Sequence, residues 1–165
     1  MDRLWAPWRM EYIERVDSGD ECFLCAKPQE NDDEKNHIIH RAETAFIILN
    51  AFPYSNGHLM VAPYRHTGDL LDLTEAELAA VMAEARLGTR LLTAAMSPQG
   101  FNLGINIGRI AGAGVADHIH LHIVPRWSGD TNFMPVIGDT KVLPQALDDS
   151  YRLLRNTLDD IERRR

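Results

Sequence analysis

His118, His120 and His122 alternate with Ile119, Leu121 and Ile123, and the chain continues into Val124 and Pro125. Successive residues of an extended strand face opposite ways. The spacing therefore predicts a strand with three imidazoles on one face and three aliphatic side chains on the other. The aliphatic row serves a core, which has no use for three polar rings side by side. Imidazole titrates near neutrality and can act as base, acid, nucleophile or metal ligand. Two chemistries suit such a row: a three-histidine metal site of the catalytic zinc kind, or attack on phosphorus through a phosphoramidate. The surroundings favour phosphorus. Gly108, Gly112 and Gly114 free the backbone just upstream, so that N–H groups can converge on an anion. Asn106 adds an amide on the face expected to carry the histidines.

The two cysteines, Cys22 and Cys25, form a second constellation. Their spacing supports no disulfide framework and reads as half of a metal knuckle or as a redox pair in a reducing compartment. A knuckle needs two more ligands, and His37, His40, His58, His66 and His118 are the candidates.

The elements that must position these residues follow from patterning. Thr44–Leu49 reads as a strand, closed by the turn formers Pro53, Asn56 and Gly57, with His58–Ala62 as its hairpin partner. Gln29 to Asn36 reads as a polar, acidic loop. Thr74 and Glu77 form a capping box, and Leu78, Val81, Met82, Ala85, Leu92 and Ala95 keep helical spacing as far as the Ser97-Pro98-Gln99-Gly100 stop. Phe101 to Ile107 alternates, placing Asn102, Gly104 and Asn106 on one face, and should pair with the histidine strand. A last helix from near Pro144 should bury Leu147, Tyr151, Leu154 and Leu158, with Arg163 to Arg165 at its C-terminal end. Antiparallel strands with a long crossing helix define an α+β fold.

The 165 residues suit one domain over 1–165, with no repeat or linker dividing it. A net charge of −7 argues against a nucleic acid polymer as partner, while leaving room for a nucleotide held by local donors. The chain has neither a membrane-length apolar run nor the apolar core of a secretory signal at its start, so a cytoplasmic protein with no membrane partner is expected. Trp5, Trp8 and Tyr12 read as packing residues. Asn50, a polar residue at a strand end, and His58, after Asn56-Gly57, are candidates for the nucleotide side.

The run His118 to Val124 with Pro125-Arg126 resembles the signature of the histidine-triad superfamily of nucleotide hydrolases and transferases. Asn50, the Asn56-Gly57-His58 hairpin and Asn106 resemble the family's nucleotide and phosphate contacts. The opening Leu4 to Met10 and the stretch Pro125 to Phe133 are similar to a bacterial branch that includes diadenosine tetraphosphate phosphorylases. The resemblance implies a histidine-triad fold, usually dimeric, and in-line attack by His120 on an α-phosphorus, giving a nucleotidyl-histidine released by phosphate or water. It implies that His122 and the loop amides around Gly112 and Gly114 steady the phosphoryl oxygens. It implies a structural zinc on Cys22, Cys25, His66 and His118, and places Trp127 and Asn132 beside the second nucleotide. Gly114 departs from the pattern: relatives often carry Gln or Ser there, and glycine offers only its backbone N–H. The expected substrate is a dinucleoside polyphosphate such as diadenosine tetraphosphate. The alternatives are a nucleotide-binding or scaffold protein with little catalysis, and an adenosine phosphoramidate hydrolase.

Overall fold

The computed structural model describes residues 22–130 and 145–164. Trp5, Trp8, Tyr12, Asn132 and Phe133 lie outside them. The described chain runs α1 (Phe23–Gln29), α2 (Asp33–Asn36), β1 (Ile38–Arg41), β2 (Ala45–Leu49), β3 (Leu59–Pro63), α3 (Glu75–Met96), β4 (Gly100–Ile105), β5 (Leu121–Arg126) and α4 (Leu147–Arg163). The five strands form one sheet in the order β1-β2-β3-β5-β4, every neighbouring pair antiparallel. The fold is α+β, as the patterning predicts.

Apolar side chains cover both faces of the middle strands, and all five residues of β2 are buried. On one face Ile47, Leu49, Leu59, Val61, Leu121 and Ile123 pack under α3 and α4. On the other, Phe46, Ile48, Met60 and Ala62 pack with Ile38 and Leu24 beneath α1. The capping box forms as expected: Thr74 Oγ1 accepts from the Glu77 N–H and the Glu77 carboxylate accepts from the Thr74 N–H. α4 buries Tyr151, Leu154 and Leu158 as the spacing requires, with Leu147 partly covered.

Three readings change, and β1 adds a strand the patterning did not show. The acidic stretch expected as a loop contains the end of α1 and the short α2, which Asp32 caps by accepting from the Lys35 N–H. A bulge in β1 gives Ile39 no partner of its own between the pairs Ile38↔Ile48 and His40↔Ile47, hiding the strand's alternation. Met82 keeps helical spacing, yet it is 57% exposed on the outer side of α3. The histidine segment is only partly strand. β5 begins at Leu121, because upstream the Ile119 N–H bonds to the Thr67 carbonyl (2.7 Å) in place of a ladder partner.

That last contact requires a glycine. A Cβ on Gly68 would stand 2.4 Å from the Ala116 carbonyl oxygen, so only glycine lets the two backbones approach so closely. The segment Pro63 to Gly68 thereby docks along Ala116 to Ile119 and delivers His66 and His118 to one point.

Candidate active site and metal cluster

Cross-strand register carries the histidine row to the α1 side of the sheet, since His122 pairs with Met60, a member of the core beneath α1. Leu121 and Ile123 face the opposite way into the larger core. His118, His120 and His122 are all buried, as is His58.

The hydrogen bonds fix what each ring presents. His120 donates from Nδ1 to the His118 carbonyl (2.8 Å), which leaves the Nε2 lone pair free of the ring proton. The neighbouring ring is set by a relay. The Tyr54 backbone N–H donates to His58 Nδ1 (3.0 Å), so the His58 proton sits on Nε2. Nε2 then donates to His122 Nδ1 (3.0 Å), which places the His122 proton on its own Nε2. The site therefore pairs a nucleophilic nitrogen on His120 with a hydrogen-bond donor on His122, their ring centroids 4.8 Å apart in an edge arrangement. Tyr54 stacks on His58 at 4.9 Å and 18° and holds the relay in plane.

His118 points elsewhere. Its Nε2 donates to the Pro63 carbonyl (2.9 Å), which turns the unprotonated Nδ1 toward the cysteines. Nδ1 stands 3.3 Å from Cys22 Sγ, 3.4 Å from Cys25 Sγ and 3.4 Å from His66 Nδ1, and Cys25 Sγ is 3.3 Å from His66 Nδ1. Around a tetrahedral metal with bonds of about 2.05 Å to nitrogen and 2.3 Å to sulfur, neighbouring donors lie about 3.3 to 3.8 Å apart. The four ligand atoms fall within 4.8 Å of one another, so the donor set fits a metal of this type. Burial pushes the His118 imidazole pKa down, favouring the neutral ring that a metal ligand must be.

The remaining candidate ligands are committed elsewhere. His37 donates to Asp148 (2.7 Å), His40 to the buried Glu84 (2.6 Å), and His58 belongs to the relay. Of the five histidines, His66 and His118 lie with Cys22 and Cys25.

Of the other expected residues, Asn50 and Asn106 flank the histidines. Asn50 directly follows β2, accepts from the Phe52 N–H (2.8 Å) and lies 3.4 Å from His58 Nδ1. Asn106 follows β4 directly, one step beyond the Ile105↔Leu121 pair and so level with His120, with its amide 3.5 Å from the Gly112 carbonyl. Gly108 and Gly112 both adopt positive φ, while Gly114 does not. Trp127 is held in a turn where its N–H and the Arg126 guanidinium both bind Asp130.

Sequence reasoning expects a backbone carbonyl on the other nitrogen of His120, which is that of His118, but it missed Tyr54, the Pro63 carbonyl and Thr67. Pro63 and Thr67 act on the site through backbone carbonyls, and only Tyr54, an aromatic four residues before a histidine whose ring also stacks on it, left any signal.

The HIT domain family model matches residues 31–129. The chain belongs to the histidine-triad family. It is 40% identical over 161 residues to a protein from Mycobacterium tuberculosis named AP-4-A phosphorylase, covering 93% of this chain and 83% of that one. A Zn-bound histidine-triad protein from Mycobacterium smegmatis superposes with a TM-score of 0.71 at 29% identity, covering 88% of this chain and 98% of that one. A histidine-triad nucleotide-binding protein from Sulfolobus tokodaii gives 0.68 at 26% identity, covering 86% and 93%.

Proposed function

We propose that this protein is a dinucleoside polyphosphate phosphorylase in which His120 is the nucleophile. One observation carries the reading: the His118 carbonyl holds the proton of His120 on Nδ1, so Nε2 faces the site as a lone pair beside the His122 donor. Nε2 attacks the α-phosphorus of a substrate such as diadenosine tetraphosphate. The bond to the bridging oxygen breaks and ATP leaves, its phosphate oxygen a good enough leaving group to need no strong acid. The His122 Nε2–H, with the backbone N–H of Gly114, stabilises the equatorial oxygens, while the Gly112 N–H donates to the Arg109 carbonyl and closes the turn beside them. Asn106 contributes its amide there, while Asn50 and His58 border the nucleoside side. Inorganic phosphate then attacks the nucleotidyl-His120 adduct and releases ADP. The named activity of the mycobacterial relative supports phosphate as acceptor.

The metal of the four-residue cluster is read as zinc, on the strength of the two-sulfur, two-nitrogen donor set and the Zn-bound neighbour. Four protein ligands close the shell, so the metal is structural. Thiolate ligands call for a reducing compartment, the cytoplasm. No described helix is long and apolar enough to cross a membrane.

The chain is read as one domain over 1–165 that works as a homodimer. The two sheet edges differ: Arg155 donates to the Ile39 carbonyl on β1 (2.7 Å), whereas β4 leaves Leu103 47% exposed beside Met82. A groove of about 670 Å³ lies between them, lined by Ala85, Arg86, Thr89 and Arg90. A second copy meeting this edge covers apolar surface that a lone chain leaves wet.

Product analysis tests the reading. ADP plus ATP formed from diadenosine tetraphosphate only when phosphate is present supports a phosphorylase, whereas AMP plus ATP formed without it makes the protein a hydrolase. Turnover that survives His120→Ala overturns the nucleophile assignment.

A further inference from the structure

The connection from β4 to the histidine row carries a short built turn that the chemistry at His120 does not use. Residues Arg109–Ala111 form a single 3₁₀ turn between Gly108 (φ 78°) and Gly112 (φ 85°). Three backbone bonds close it: Ala111 N–H to Gly108 O, Gly112 N–H to Arg109 O, and Ala113 N–H to Gly108 O. Ala113 and Val115 are buried and root the segment in the fold. No core explains the residues at its tip. Ile110 is fully exposed, Ile107 is half exposed, and Arg109 is exposed as well. Arg109 is also the only Lys or Arg between Arg90 and Arg126, in a chain of net charge −7. One cation and two bare isoleucines therefore stand in a stretch otherwise without positive charge.

The strand order says what passes there. β5 lies between β3 and β4. Asn50 and His58, on the β2–β3 hairpin, border one side of the histidine row. Asn106 and the turn border the other, with Gly112 O 3.5 Å from the Asn106 amide. A nucleoside held on the β2–β3 side directs the rest of the substrate away from His120, because in-line displacement places the leaving group opposite the attacking nitrogen. Among the described residues, the turn flanks that exit on the β4 side.

We propose that the Arg109–Ala111 turn is the subsite for the departing half of the substrate, Arg109 taking the distal phosphates of the polyphosphate chain and Ile110, with Ile107, packing against the leaving nucleoside's base. A guanidinium matches phosphate oxygens in charge and geometry, and an exposed aliphatic side chain gains by covering a base face. The turn selects for a second nucleoside and leaves the transfer chemistry at His120 untouched. This inference rests on the dinucleoside polyphosphate reading.

The experiment compares two substrates on the full-length protein. One is diadenosine tetraphosphate. The other is the p-nitrophenyl ester of AMP, which presents the same α-phosphorus and nucleoside but no second nucleoside or distal phosphate. Arg109→Ala and Ile110→Ser should each raise KM for the tetraphosphate about tenfold, and change kcat/KM for the nitrophenyl ester less than twofold. Melting temperature and native mass should match the wild type. Equal losses on both substrates, no loss on either, or dissociation of the Ile110→Ser protein into smaller species would each overturn the proposal, the last by making the turn a subunit contact. A wild-type protein that cleaves the ester but not the tetraphosphate removes the substrate reading itself, and the subsite with it.

Discussion

The two ends of the histidine row differ in hydrogen-bond polarity although one strand-like segment carries both. At the metal end, His118 gives its Nε2 proton to the Pro63 carbonyl and shows Nδ1 to two sulfurs and a nitrogen. At the phosphate end, His120 gives its Nδ1 proton to a carbonyl and shows Nε2, while His122 accepts on Nδ1 and shows an N–H. Three identical side chains thus present a ligand lone pair, a nucleophilic lone pair and a donor. Alternation brings them to one face. Two backbone carbonyls and a fourth histidine divide the labour among them.

The two ends should break separately. His120→Ala should lower kcat/KM by roughly 10⁴-fold or more, while bound metal per chain and melting temperature stay at wild-type values. Cys22→Ser should do the reverse. Losing the metal costs on the order of 3 kcal/mol, a fall of roughly 10 °C in Tm, and turnover by the protein that remains folded should drop far less than in His120→Ala. Metal analysis and calorimetry on both variants decide the matter. Stoichiometric zinc in the Cys22→Ser protein would sink the ligand assignment.

The contrast between the ends also shows what was legible in the sequence. The histidine row showed as alternation, the cysteine pair as Cys22 and Cys25, and the long helix as Thr74 with Glu77 followed by apolar spacing. These are side-chain patterns, and the fold kept them. What escaped notice was carried by backbone or hidden by shortness. The carbonyls of Pro63 and Thr67 have no side-chain signature, yet one sets the His118 tautomer and the other holds the segment that brings His66 to His118. α1 spans seven residues with Pro28 inside it, and β1 spans four with a bulge, too few for a period to emerge. Met82 shows the converse limit: helical spacing marks a face but cannot tell an outer groove from a core. The choice of His66 over His37 and His40 came from family resemblance, and the structure supplies its physical reason in their carboxylate partners, Asp148 and Glu84.

The relay offers a sharper cut within the phosphate end. His58→Ala frees His122 to carry its proton on either nitrogen, so kcat should fall about 10 to 100-fold with little change in metal content. An unchanged kcat means that His122 does not need a fixed tautomer. Gly68→Ala strikes between the two ends. Its Cβ meets the Ala116 backbone, which cannot swing aside, so the docked segments must part at a cost of about 2 kcal/mol. Because this contact positions both His66 and His118, weaker metal retention against a chelator should accompany the lower melting temperature. Destabilisation with unaltered chelator kinetics would mean that the cluster tolerates movement of its supporting strand.

The smallest effect should come from the capping box of α3, which supports both ends alike through the core. Arg65 and the Thr74 N–H hold the Glu77 carboxyl down at about 2, against an ordinary value of 4.5. A depressed carboxyl pKa stabilises the fold above the unfolded value and loses that contribution as pH falls. The loss therefore begins near pH 4.5 and is complete below about 2. Thr74→Ala should cost about 1 kcal/mol at neutral pH, and Glu77→Gln should flatten the acid limb of the stability curve between those values. Since α3 packs on β2, β3 and β5 together, neither change should shift the balance between metal retention and turnover. A selective loss of one would show that the two ends of the histidine row do not share a common support.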